Sequence, residues 1–274
     1  MNRRKKQNQV FYMVLFSIFS AIIILLTLIP NIGYILVPPI SITIIHIPVL
    51  IGIMVLPFVY SIGLGLVFGL SSLVASFIHG KTPLDLLFQN PLISVLPRVL
   101  FAVLAFFVFL GLRKLQKIKN GDTVIFTIVS IITMVFLFFG AYGISSTIHE
   151  ENIPARLNLL LALAPIFMVI GGLLIGAYYL MLNHKNLKNN IAIPSAVMIG
   201  TLIHTILVLI SLTLFGDGMG DLVPLLQAVL GSNGFIEIIA ALVVATPVSI
   251  AIKAAFPERI PQDFFTKERR EEIN

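Results

Sequence analysis

The stretch VFYMVLFSIFSAIIILLTLIP, Val10 to Pro30, runs for 21 residues without an Asp, Glu, Lys, Arg or His. A helix of that length rises about 31 Å, the thickness of a bilayer's hydrocarbon core. It is longer than the about 7 to 15 residues of a signal-peptide apolar region and has no small-x-small cleavage site, so it reads as a retained first span. Arg3, Arg4, Lys5 and Lys6 mark its N-terminal side. The same texture continues along the chain. Hydrophobic residues make up 58% of the 274 positions and charged residues 11%, against about 25% charged in an ordinary globular domain. That apolar content fills about eight spans of about 20 residues.

The spans are expected at 10–30, 42–59, 61–79, 92–112, 123–143, 157–182, 195–215 and 235–256. The apolar run from Ile42 to Ile78 is too long for one crossing, and Pro57 with Tyr60-Ser61 is its natural break. No stretch outside these runs is long enough to bury a core of its own, which excludes a large soluble catalytic domain. The expected architecture is all-α: a single integral membrane domain over 1–274, a polytopic helical bundle in the bilayer.

A net charge of +6 has a topological cause. With eight spans and both termini cytoplasmic, fifteen of the eighteen Lys and Arg fall on the cytoplasmic side, as the positive-inside rule requires. Only Lys81, Arg98 and Arg156 do not. The bias explains the basic character without a nucleic-acid partner. The absence of Cys removes disulfides, thiolate metal sites and cysteine nucleophiles.

Ionisable side chains within spans are costly and point to function. His46 and Arg98 fall about 6 Å and about 9 Å along their helices from the outer ends. Glu237 lies three residues past Gly234, at similar depth, and His204 nearer the middle. The set favours a polar pocket opening outward. The structural alternative is an Arg98–Glu237 pair that ties two helices, or an Arg98 that snorkels to the interface. Each histidine alone is equally served by a hydrogen bond to a neighbouring helix. No two of the five His are three or four residues apart, so no metal site is expected. Gly80-Lys81-Thr82 ends like a phosphate-binding loop, yet Ala75 stands where its first Gly belongs. No G-x-S-x-G or H-E-x-x-H occurs, so neither ATP binding nor hydrolysis is expected, and the chain is read as no enzyme, with no cofactor. Small residues recur at four-residue spacing, at Ser17 and Ala21, Gly65 and Gly69, and Gly172 and Gly176, which lets helix backbones approach closely.

Five segments carry a resemblance: Ser41-Ile-Thr-Ile-Ile-His-Ile-Pro48, Gly63-Leu-Gly-Leu-Val-Phe-Gly69, Ser94-Val-Leu-Pro-Arg98, Gly200-Thr-Leu-Ile-His-Thr205 and Gly231-Ser-Asn-Gly-Phe-Ile-Glu237. In this order they resemble the substrate-binding S component of energy-coupling factor (ECF) vitamin transporters, of the pantothenate-type branch. The resemblance covers 10–112 and 195–256. It implies a six-helix subunit of the bacterial plasma membrane that captures a vitamin from outside. It also implies a transmembrane coupling subunit and two cytoplasmic ATPases as partners. Residues 122–182 stand as an inserted helical pair, and His204 replaces the Asn of the family's G-T-L-x-N-T pattern. The family's small pair on the first span, which packs on the coupling subunit, maps onto Ser17 and Ala21.

The expected function is capture of a small, anionic, water-soluble vitamin or precursor. Arg98 would neutralise its carboxylate or phosphate through charge-assisted hydrogen bonds. His46, Asn90, Thr201, His204, Asn233 and Glu237 would orient the rest, with the loops Asn31 to Ile40 and Gly80 to Pro91 as gates. The alternative is a self-sufficient secondary transporter with Glu237 and the histidines as a proton relay.

The topology has a direct check, because a single Cys can be introduced into a Cys-free chain. A Cys at Ser146 is expected to react with an impermeant reagent from outside; labelling from the cytoplasmic side alone overturns the eight-span arrangement.

Overall fold

The sequence HIPVLIGIMV, His46 to Val55, is apolar on every side except at His46, and a helix hydrophobic all round belongs in an interior. In the computed structural model of the protein it forms a helix whose ten residues are all buried. The structure describes residues 3–29, 32–37, 40–80, 83–125, 127–132, 190–216 and 222–260, with isolated positions between 135 and 180. In chain order these form α1 (Arg3–Leu28), β1 (Tyr34–Val37), β2 (Ile40–Thr43), α2 (His46–Val55), α3 (Phe58–His79), α4 (Pro83–Leu87), α5 (Pro91–Ser94) and α6 (Leu96–Gln116). A short apolar helix α7 (Gly121–Ile132) follows, then α8 (Ala192–Phe215) and α9 (Leu222–Ala255). The central α2 packs against α1, α3, α6, α8 and α9.

Five stretches are long and apolar enough to cross a membrane: Lys6–Leu28, Phe58–His79, Pro91–Gln116, Ala192–Phe215 and Glu237–Ala255. Their outward faces are apolar stripes at helical spacing, such as Leu66, Leu70 and Phe77 on α3 and Leu100, Leu104 and Phe107 on α6. Exposed stripes of this size would be a liability in water and are what lipid requires. The chain is a multi-pass membrane protein.

The structure corrects several boundaries. The span expected at 42–59 is cut short, because Ile40–Thr43 pairs antiparallel with Tyr34–Val37, Tyr34 opposite Thr43 and Val37 opposite Ile40. The β-branched residues Ile40, Ile42 and Thr43 favour that extended pairing over helix. The helix then ends at Leu56, and Pro57, extended at φ −61° and ψ 157°, precedes α3, the break anticipated there. At the other end, α9 begins at Leu222 rather than near 235; its Pro224 sits in the first turn, where no backbone N–H is needed. The loop expected over Gly80 to Pro91 contains α4. Most of the spans expected at 123–143 and 157–182 lies outside the described residues, as does Lys81.

The small residues of α3 serve internal packing. A side chain on Gly65 would come within 2.6 Å of the Ala102 Cβ and 2.8 Å of the Arg98 carbonyl oxygen, and one on Gly69 within 2.8 Å of the Val95 Cα. Backbone contact of α3 with α6 is thus possible only with hydrogen at those two positions. On Gly172 and Gly176 a side chain would meet nothing within 4 Å. One end of the bundle gathers both ends of the described chain: the Tyr12 hydroxyl donates to the Arg259 carbonyl at 2.5 Å, and Phe11 packs on Phe256 with centroids 4.9 Å apart.

Replacing Gly65 by Leu is expected to lower stability by about 1 to 3 kcal/mol through overpacking, read as a lower melting temperature in detergent. Gly111→Ala, where nothing lies within 4 Å, is the control and should be neutral. Equal melting of the two variants would contradict the close α3–α6 contact.

Candidate functional site

Glycines bring α3 against α6, and between them along α3 stands Phe68, fully buried. Its ring lies 5.6 Å from the Arg98 guanidinium carbon. The Phe88 ring, from the segment after α4, lies 5.1 Å from the same carbon. Arg98 therefore makes cation–π contacts with two aromatic rings, which stabilise a weakly hydrated planar cation away from water. One guanidinium nitrogen, Nη1, donates to the Ile93 carbonyl of α5 at 2.5 Å. That carbonyl and the Phe88 ring are positioned by a short turn in which Asn90 Oδ1 accepts from the Leu92 N–H at 3.0 Å and Ser94 Oγ donates to the Phe88 carbonyl. Asn90 thus caps α5.

Phe68 also contacts an imidazole. His204 of α8 lies on that ring at 5.5 Å with planes 25° apart, and His46 stacks on His204 at 5.1 Å and 12°. Phe101 of α6 meets His204 edge-on at 5.2 Å. Phe88, Arg98, Phe68, His204 and His46 thus form one column drawn from four elements and the α4–α5 turn. His46 is at the N-terminus of α2. The Thr201 hydroxyl donates to the Val197 carbonyl at 2.9 Å, so its lone pairs are left to face His46 Nε2 at 3.3 Å. Both ring nitrogens of His204 are buried and have no hydrogen-bond partner among the described residues. An imidazole so placed offers one donor and one acceptor to whatever enters beside it.

Glu237 follows separately. Its Oε1 accepts the Thr43 backbone N–H at 2.8 Å, and its Oε2 accepts from the Thr205 hydroxyl at 3.2 Å. No ion pair joins it to Arg98; the carboxylate instead holds the end of β2 onto α8 and α9. Burial of a carboxyl group is tolerable only with such donors. Thr205 lies one turn beyond Thr201 and its hydroxyl also reaches the Thr201 carbonyl at 3.2 Å, which links Glu237 to the His46 end of the column.

Of the residues singled out from the sequence, Arg98, His46, Thr201, His204 and Glu237 come together. Asn90 supports the turn that carries Phe88. Asn233 lies on α9, and its side chain is outside the described residues. Sequence reasoning missed Phe68, Phe88, Phe101, Thr43 and Thr205. Thr205 had a signal, since it shares a helix face with Thr201; the phenylalanines had none, being three of 21 in the chain. Among the described residues no group of three His, Asp or Glu could hold a metal ion.

Because one carboxylate takes two donors from two elements, Glu237→Gln is expected to loosen the hairpin. An amide keeps one acceptor oxygen and places a donor where the second was. Hydrogen exchange at the Thr43 amide should quicken by roughly tenfold, the factor that corresponds to about 1.4 kcal/mol. Unchanged exchange would show that the hairpin is held without Glu237.

Comparison with known families matches residues 11–156 to the ECF transporter, substrate-specific component, more than half of the chain. The match takes in α1 to α6 and runs on past residue 122; α8 and α9, with Thr201, His204 and Glu237, lie beyond it. A search of curated proteins finds no match. With the five membrane-length apolar stretches and the family match in agreement, the chain belongs to the substrate-specific components of ECF transporters, membrane-embedded substrate-binding subunits rather than enzymes.

Proposed function

We propose that the protein captures a small, anionic, water-soluble vitamin or precursor, pantothenate-like in its carboxylate, for import. The observation that carries this reading is the buried Arg98 in contact with the rings of Phe68 and Phe88, in one series of contacts with an imidazole whose nitrogens have no partner among the described residues. A guanidinium in a low-dielectric site makes charge-assisted hydrogen bonds to a carboxylate that are roughly twice as strong as neutral ones. His204 supplies a donor and an acceptor beside it, and His46 with Thr201 backs that ring. Glu237 orients the hairpin, and Asn90 the turn under Phe88. Asn233 completes the proposed set.

The proposed arrangement in the membrane is eight spans with cytoplasmic termini in a bacterial plasma membrane. The core is 10–112 with 195–256, and 122–182 is an inserted pair. Arg98 and His46 then lie toward the outside, where a nutrient arrives. Import requires a transmembrane coupling subunit and two cytoplasmic ATPases. Ser17 and Ala21 form the proposed docking face; both are exposed on α1, and the Ser17 hydroxyl is folded back onto the Met13 carbonyl at 2.9 Å, so a partner helix would meet little bulk there.

The test begins with mass spectrometry of small molecules that co-purify with the detergent-solubilised chain, which is expected to identify a carboxylate or phosphate compound. Calorimetry with that compound should then show Arg98→Ala binding at least about 100-fold more weakly, as loss of a charged hydrogen bond of about 3 kcal/mol implies. Arg98→Lys should be impaired as well if recognition is bidentate. Unchanged affinity in a well-folded Arg98→Ala protein would overturn the anionic site.

A further inference from the structure

A second polar site lies at the opposite end of the bundle. Arg113 is fifteen residues beyond Arg98, about 22 Å along α6, and Lys253 is sixteen beyond Glu237, about 24 Å along α9. There α6, the start of α8 and the end of α9 enclose a cleft of about 290 Å³. Both cations face it. The Arg113 guanidinium and the Lys253 ammonium lie 5.6 and 5.2 Å from the centroid of the one Phe109 ring. Like charges gathered this way repel, and an anion in the shared space is the direct remedy.

Two further observations give the cleft its sign. Lys253, half-buried, lines the cleft and forms no ion pair with any described residue. The cleft also receives the N-terminus of α8, a helix of 24 residues whose first backbone N–H, at Ala192, donates to Gln116 Oε1 at 3.3 Å. A helix N-terminus adds partial positive charge where Arg113 and Lys253 already converge. Asn190 and the apolar Ile193 and Ile250 are also part of the wall. Arg113 and Lys253 stand three and two residues from the ends of their membrane-length stretches, the depth at which headgroups meet hydrocarbon.

We propose that this cleft binds a phosphate group, with Arg113 and Lys253 as its cationic walls. The group is that of an anionic phospholipid or of a soluble phosphate; the chemistry is the same and the sources are separable. The site is independent of the substrate column.

The test uses the full chain. Native mass spectrometry compares retention of phosphatidylglycerol and of phosphatidylcholine, and calorimetry titrates inorganic phosphate. One phosphatidylglycerol retained with about tenfold or greater preference supports the site with lipid as the source. Phosphate binding without lipid preference supports it with a soluble source. In either case Lys253→Arg should keep the binding, and the double variant Arg113→Gln with Lys253→Gln should lose about tenfold or more. The proposal is overturned if the unmodified chain shows neither lipid preference nor phosphate binding, or if the double variant, with a normal melting curve, keeps both. Should the double variant fail to fold, the single Lys253→Gln decides in the same way.

Discussion

The burial of α2 is the constraint on which the rest of the structure depends. A ten-residue helix rises only about 15 Å, half the depth of the hydrocarbon core. In lipid, its unsatisfied end groups would each cost several kcal/mol. It can exist at membrane depth only if other elements cover its sides and its ends. The long helices surround it, the hairpin approaches its N-terminal end, and the chain turns at Leu56-Pro57 below. Close approach is what makes this cover complete. Gly52 on α2 admits the Leu64 side chain of α3, and Gly200 on α8 admits Leu50 of α2, whose Cδ2 would lie 2.6 Å from an added Cβ.

The same cover creates the polar interior. The first residue of α2, His46, is carried to zero exposure, and Thr201 and His204 are what α8 presents to it. Arg98, near the start of α6, is brought to the other end of the column by the α3–α6 contact. The cation and the carboxylate of this region are solvated by different means: Arg98 by aromatic faces and a carbonyl, Glu237 by an amide and a hydroxyl. Glu237 meanwhile couples the hairpin to α8 and α9, so the element nearest the site is tied to the helices that build it.

The two ends of the bundle thus differ in chemistry. The column of Phe88, Arg98, Phe68, His204 and His46 is aromatic, with one guanidinium. The opposite cleft has two cations, a helix N-terminus, two amide side chains and two isoleucines. This separation follows from helix length: α6 and α9 are each long enough to contribute one group to either end.

Composition alone determined that the chain is a helical membrane protein, because bilayer thickness fixes how many apolar residues a helix needs and water-facing surface fixes how many charges a soluble protein must show. Rarity made Arg98, His46, His204 and Glu237 legible, since an ionisable group at membrane depth is conspicuous against 58% hydrophobic residues. The break at Pro57 was legible from backbone chemistry. The hairpin was not, because Ile and Thr are apolar enough for a span and branched enough for a strand, and only the pairing with Tyr34–Val37 decides between them. Nor were Phe68 and Phe88 distinguishable from the other phenylalanines, whose side chains serve lipid and core alike. The roles of Glu237 and Asn90 were decided by the tertiary structure for the same reason: a hydrogen bond is fixed by position in space, and residues 43 and 237 meet only after the helices have packed.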